Sequence, residues 1–191
     1  FDVQVENDAD RTRCTEAIGH FRKRMSTLPD DGRSIGVIYF CGHGMQYEGR
    51  NYLLPSGVGT DDPKAKEKSV SLQDEVLAAF PQRYPGLGVA VIDACRDGIS
   101  EGEKTGAFNY STAPQGCIVA FSASAGQVSL SPSDRNQNSF YTRELVQVLT
   151  EVDQEISFTD IFEFTRLRVA QTMRAQGRAD RIYQRHRPEP A

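Results

Sequence analysis

Three short runs of almost purely apolar residues constrain the fold of this chain more than any other feature of its sequence. They occupy residues 35–41 (IGVIYFC), 89–92 (VAVI) and 117–121 (CIVAF). Strands that helices cover on both faces read as continuous apolar runs, whereas half-exposed strands alternate apolar and polar residues. The runs therefore predict buried strands in a mainly parallel sheet.

Helical patterns separate these runs. Apolar residues recur every three or four positions in residues 14–28 and on one face of residues 72–80. Ser71, Ser139 and Ser157 stand where the N-caps of helices are expected. Strands that alternate with helices indicate an α/β fold, with a mainly parallel sheet sandwiched between helices.

Shorter elements complete the pattern. Residues 1–5 (FDVQV) alternate as a short strand would. A hairpin with its turn at Gly49 is expected to join residues 45–47 to residues 52–54. Residues 55–69 are expected to form a polar loop, because they are rich in charged residues, glycine and proline.

Composition excludes several classes of protein. A chain of 191 residues suits one domain, and a net charge of −4 argues against a nucleic-acid partner. No apolar run is long enough to span a bilayer, so no membrane partner is expected. The acidic residues Asp61, Asp62 and Asp74 match no calcium-binding pattern, so we expect no metal and no cofactor.

The four cysteines indicate the compartment. Cys14, Cys41, Cys95 and Cys117 include no C-x-x-C pair and are too few for a disulfide framework. A cytoplasmic location is therefore expected, and zinc is disfavoured because paired ligand spacing is missing. All except Cys95 fall in apolar patterns and are expected to be structural and buried.

Two predicted strands end in residues that carry chemistry. His43 follows the first run and Cys95 follows the second, and parallel strands present their carboxyl ends at one edge of a sheet. A thiolate nucleophile needs a nearby base, and the N–H groups of Gly44 and Cys95 could bind an oxyanion. Alone, a Gly-His-Gly segment is more often a surface turn, and a single Cys is more often a small buried residue. The pair together indicates a catalytic Cys–His dyad.

These segments resemble the motifs of the caspase-like cysteine peptidases of the paracaspase and metacaspase group, most of all the paracaspases and their bacterial relatives. The matching segments are residues 39–44 (YFCGHG), 51–55 (NYLLP), 93–96 (DACR), 120–127 (AFSASAGQ) and 138–142 (NSFYT). His43 precedes Cys95 by 52 residues, which also fits the known caspase signature. Metacaspases usually have His-Ser-Gly after the cysteine, where this chain has Arg-Asp-Gly.

The resemblance implies a caspase–haemoglobinase fold and an endopeptidase that forms an acyl-enzyme and cleaves after Arg or Lys at P1. Asp93 supports that specificity, because it lies two residues before Cys95 and faces the same way in an extended strand. A loop cap or an ion pair with Arg96 is the alternative role for Asp93. Calcium is implied only by analogy with the metacaspases.

Other residues are expected to bind the substrate or regulate the enzyme. A peptide would add as a strand along Ala120, Ser122 and Ser124. Lys104 lies in a polar, glycine-containing loop at 96–114, where the enzyme could cut itself or a neighbouring copy. A plain flexible connector is the alternative interpretation of that loop.

The expected organisation is a caspase-like catalytic domain at residues 1–184 and a disordered tail at residues 185–191. In the family fold a central strand and a helix precede the segment that matches residue 1, and that strand also contributes an acidic residue to the S1 pocket. The missing segment or a second chain is therefore an expected partner, and a dimer is compatible with the sequence. Two other functions stay open: a catalytically silent scaffold, and a cysteine peptidase of the legumain or separase type.

Overall fold

The structure is a computed structural model that describes residues 2–29, 31–81, 86–98, 114–122, 137–152 and 155–176. For residues 95–98 the description covers the backbone alone. The predictions for Lys104, Ser124 and the tail at residues 185–191 concern residues outside these ranges. No helix in the described ranges is long and apolar enough to cross a bilayer.

Helices and strands alternate along much of the chain. Helix α1 spans Arg11–Met25, strand β1 Ile35–Tyr47, β2 Arg50–Leu54, the short helix α2 Ala65–Lys68 and β3 Val70–Ser71. A π-helical turn at Leu72–Val76 and a 3₁₀ turn at Leu77–Ala79 follow, and then β4 spans Leu87–Gly98 and β5 Cys117–Phe121. Two further helices complete the fold, α3 at Phe140–Glu151 and α4 at Phe158–Ala175.

The strands form one five-stranded sheet in the order β3-β2-β1-β4-β5. Strands β1, β4 and β5 run parallel, whereas β2 pairs antiparallel with the end of β1 and β3 pairs antiparallel with β2. The sheet is therefore mixed, with a parallel half that carries the predicted buried strands. The predicted α/β fold, with a sheet between helices, is confirmed.

Alternate residues of β4 separate the two cores of the domain. Ala90, Ile92 and Ala94 pack in a cluster with residues of α1 and the 72–80 segment. Val89 and Val91 pack on the opposite face with residues of α3 and α4. Because side chains alternate along a strand, the next residue on the α3 side of β4 is Asp93.

The predicted helix starts are confirmed by their caps. Ser139 accepts a hydrogen bond from the Thr142 N–H at 3.0 Å, and Ser157 accepts one from the Asp160 N–H at 3.1 Å. Ser71 likewise accepts from the Asp74 N–H at 3.1 Å. The segment after Ser71 is irregular, a π turn followed by a 3₁₀ turn, but its predicted inward residues are buried: Leu72, Val76 and Phe80.

The predicted hairpin is present, and its strands are longer than the apolar pattern indicated. Glu48 and Gly49 have φ values of 47° and 73°, and two successive left-handed residues make the type I′ turn that suits a hairpin. Strand β1 continues past Cys41 through His43 to Tyr47. The apolar run ends earlier because apolar side chains report burial, whereas the ladder needs only backbone partners.

Two expectations about the sheet were wrong. Residues 2–6 form no strand, and Val3 and Val5 are 71% and 69% exposed. Within the described ranges no strand lies beside them to complete a ladder. The second wrong expectation is that helices cover β1 on both faces. One face of β1 is partly open, because α3 and α4 pack on Val89 and Val91 of β4 instead. The residues left partly exposed on that face are Ile35, Val37 and Tyr39.

Candidate active site

His43 and Cys95 are direct neighbours in the sheet. Strands β1 and β4 are adjacent and parallel, with His43 in register with Cys95 and Cys41 in register with Asp93. Paired strands lie about 4.8 Å apart, so the two backbones are close at these positions. The prediction that the two chemistry-bearing segments meet side by side is confirmed for the backbone, and their catalytic roles remain a prediction.

His43 has a strand on each side. It pairs with Cys95 of β4 and with Leu54 of β2, and its side chain is exposed. Both residues lie within strands instead of just beyond the strand ends. The backbone at His43 is consequently held by the sheet, while its imidazole remains open to solvent.

Asp93 is buried and accepts hydrogen bonds from two hydroxyl groups. Its side chain is 2% exposed. The Ser139 Oγ and the Thr142 Oγ1, the latter at 2.5 Å, both donate to the Asp93 Oδ2. Asp93 lies inside β4, so its expected alternative role as a loop cap is wrong. The other alternative role of Asp93, an ion pair with Arg96, involves a side chain that the structure does not describe.

Tyr39 extends this group of polar residues. Its hydroxyl lies 2.7 Å from the Thr142 Oγ1. Burial raises the pKa of the Tyr39 phenol above its ordinary value, although the Thr142 hydroxyl opposes this. Burial also raises the pKa of Tyr141, and the nearby negative charge of Asp93 adds to the effect. Both phenols are therefore neutral at physiological pH and able to donate a proton in a hydrogen bond.

The three cysteines whose side chains are described are poor nucleophiles. Burial of the sulfur raises the pKa of Cys14, Cys41 and Cys117. At Cys41 a hydrogen bond with Tyr39 offsets part of this rise, and the charge of Asp93 increases it. Cys41 was expected to be buried, but as a residue it is exposed because it lies on the open face of β1.

These pKa directions predict an order of alkylation. At about pH 7, iodoacetamide should modify Cys95 first, because a thiol beside a base has more thiolate. Cys14, Cys41 and Cys117 should react slowly and should accelerate as the pH rises, because their raised pKa values leave little thiolate at neutral pH. Peptide mass mapping at several pH values measures the order. Modification of Cys41 ahead of Cys95 would contradict it.

Three further predicted site residues, Gly44, Ala120 and Ser122, fall within the described ranges. Gly44 is buried and in register with Leu53 on one side and Arg96 on the other. Ala120 is buried in β5. The Ser122 N–H donates to the Ile92 carbonyl at 3.0 Å, and the Ser122 hydroxyl is buried without a hydrogen-bond partner among the described residues.

No group of three or more potential metal ligands forms among the described residues. Of the acidic residues considered above, Asp62 pairs with Lys68 and Asp74 pairs with Arg50, each at 2.5 Å. Asp62 and Asp74 are thus engaged with cations of the chain.

The hydroxyl groups around Asp93 were not identified from the sequence. Ser139 was recognised only as a helix cap, and Thr142 only as part of a motif. Their bonds to Asp93 span 46 and 49 residues, and the Tyr39–Thr142 bond spans 103 residues. A hydroxyl in the first turn of a helix is a signal for a cap, and only the tertiary structure shows that it also reaches a strand.

The family model of the caspase domain matches residues 1–189. No curated protein matches the chain.

Proposed function

Because this chain belongs to the caspase family, we propose that it is an endopeptidase that cleaves peptide bonds with Cys95 as nucleophile and His43 as general base. Membership of the family supports a function of the cysteine peptidase type, which acts on proteins. The observation that carries the proposal is the register of the sheet, in which His43 and Cys95 are paired across adjacent parallel strands.

The proposed reaction has two stages. The Cys95 sulfur attacks the carbonyl carbon of the scissile bond while His43 takes the thiol proton, and the N–H groups of Gly44 and Cys95 bind the oxyanion. His43 then gives that proton to the leaving amine, and the acyl-enzyme remains. In the second stage His43 removes a proton from water, which attacks the thioester, and the Cys95 sulfur leaves and is reprotonated.

We propose that the S1 pocket accepts Arg or Lys, as in the paracaspases that the chain resembles. Asp93 lies two residues before Cys95 on β4 and is buried. A carboxylate in such a place binds a guanidinium or an ammonium group through a charge-assisted hydrogen bond. Two hydroxyl groups donate to one oxygen of this carboxylate and hold it in one orientation.

The bound peptide would lie along the outer side of β5. In the described part of the sheet β5 is the last strand next to β4, so a peptide could pair with its free edge. Ala120 is in register with Val91, and Ser122 follows the last paired residue of β5. A peptide paired with this edge of β5 would extend towards Cys95 on the adjacent strand β4.

Cleavage assays with peptides that differ only at P1 test this function. The chain should hydrolyse fluorogenic peptides with Arg or Lys at P1 and leave peptides with Asp uncut, and a positional peptide library should show the same preference. Hydrolysis no faster than that of Cys95→Ala would indicate a silent scaffold. Strong preference for another P1 residue, such as Asn, would indicate a peptidase of the legumain type.

The proposed specificity makes Lys104 a candidate site of self-cleavage. We expect a cut after Lys104 during incubation of the active chain, because the enzyme accepts a basic P1 and residues 96–114 are polar and contain several glycines. Mass spectrometry of the wild-type chain and of Cys95→Ala, incubated in parallel, measures the cut. An uncut chain with full activity would show that the segment is an ordinary connector.

A further inference from the structure

We propose that Ser139 and Thr142, in the first turn of α3, are positioning residues that hold the Asp93 carboxylate in place to receive a basic P1 side chain. Tyr39 is the outer member of the same hydrogen-bonded group. The inference rests on the proposed function, because it concerns the specificity of that site.

Proton counting assigns the direction of each hydrogen bond. A hydroxyl group has one proton to donate. Ser139 accepts from the Thr142 N–H and donates its proton to the Asp93 Oδ2. Thr142 also donates to that oxygen, so the bond between Tyr39 and Thr142 must use the phenol proton. Two of these protons therefore go to the Asp93 carboxylate, and the phenol proton goes to the Thr142 oxygen.

Burial explains why these donors are needed. A carboxylate that is 2% exposed has lost most of its hydration and is stable as an anion only when hydrogen bonds replace the lost water. Two donors on the same oxygen also restrict the rotation of the carboxyl group. The N-terminal end of α3, which carries partial positive charge, supports the anion further.

The arrangement links the position of a helix to substrate choice. Ser139 and Thr142 are three residues apart, one turn of α3, and both contact the carboxylate of β4. A hydroxyl lost from this turn leaves the charge of Asp93 in place but makes its carboxylate less well oriented. Peptides with a basic P1 should then bind the transition state less well, whereas peptides with an uncharged P1 should be unaffected.

Thr142→Val is the most direct test. It removes the hydroxyl, keeps the shape of the side chain and keeps the Thr142 N–H that Ser139 caps. We expect kcat/KM to fall about tenfold for matched peptides with Arg or Lys at P1, the scale of one hydrogen bond to a charged group. A third matched peptide carries the uncharged residue norleucine at P1, and Thr142→Val should cleave it at the wild-type rate. Thr142→Ser should restore the rate for the peptides with Arg or Lys at P1.

Ser139→Ala should show the same selective loss, together with a lower melting temperature because it removes the cap of α3. Ser157→Ala is its matched control, since Ser157 caps α4 in the same way and donates to Asp160 instead of Asp93. It should lower the melting temperature without changing the ratio of the rates for basic and norleucine peptides. Tyr39→Phe, at a partly exposed position, should give a smaller selective loss without threatening the fold.

The outcomes separate this inference from the proposed function. Equal losses on all three peptides in Thr142→Val, or no loss on any of them, would overturn the positioning role while leaving the peptidase intact. A wild-type chain that cleaves nothing, or that has no preference for basic residues, would overturn both. A selective loss that Thr142→Ser reverses supports the inference.

Discussion

Replacing Cys95 with alanine should lower kcat for peptide hydrolysis by at least about four orders of magnitude, the scale seen when a covalent nucleophile is removed from a peptidase. Without the sulfur no acyl-enzyme can form, and water alone attacks the carbonyl slowly. Single-turnover and steady-state assays on a peptide with Arg at P1 measure the loss. A burst of product in the wild type and its absence in the variant would identify the acyl-enzyme.

Cys41→Ala is the matched control for this experiment. Cys41 lies two residues before His43 on β1 and in register with Asp93. Among the cysteines whose side chains are described, it is therefore the nearest in the sheet to the proposed pair of Cys95 and His43. Its raised pKa makes it a poor nucleophile, and we expect near-normal rates from this variant. Full activity in Cys95→Ala would refute the assignment of the nucleophile, and loss of activity in Cys41→Ala alone would transfer the role to Cys41.

Replacing Asp93 with asparagine should lower kcat/KM for Arg and Lys peptides by about 30-fold to 1,000-fold. This corresponds to about 2–4 kcal/mol, the cost of leaving one partner of a buried charge pair unmatched. The amide keeps the size of the carboxyl group and an oxygen that accepts from Ser139 and Thr142. Comparison of peptides with Arg, Lys or norleucine at P1 should show that kcat/KM depends on the charge of the P1 side chain and not on its shape.

Glu144→Gln is a suitable control for the loss of a buried carboxylate. Glu144 is buried in α3 and accepts from Thr172 of α4 and from Arg143, so it lies in the α3–α4 contact and not beside Asp93. Its replacement should change the melting temperature and leave the P1 preference unaltered. A preference for Asp over Arg at P1 in the wild-type chain would contradict the role given to Asp93.

The parts of the fold that follow from local patterns could be predicted from the sequence. The parallel strands, the hairpin turn at Gly49 and the caps at Ser139 and Ser157 each depend on neighbours in the chain. The lengths of β1 and β4 could not be predicted in this way, because both strands continue through glycines and polar residues once a backbone partner is present. The apolar pattern records where helices cover the sheet, and it ends before the ladder does.

The same distinction holds for the candidate site. The pairing of His43 with Cys95 follows from two parallel strands of similar length, so their order in the chain was enough to predict it. The environment of Asp93 depends on how α3 docks against β4. The contacting residues, Ser139 and Thr142, are separated from Asp93 by 46 and 49 positions in the sequence. No local pattern encodes that docking, and the hydroxyl donors were therefore missed.

Strand β1 is held differently along its length, and this bears on how the chain fluctuates. Residues 43–47 lie between β2 and β4, whereas in the described ranges residues 35–42 pair with β4 alone. Amide hydrogens in a two-sided ladder exchange with solvent only when strands part, whereas those at an open edge exchange readily. Fraying should therefore start at Ile35 and fade before it reaches His43, so the end of the strand that bears the imidazole is also the end that opens least.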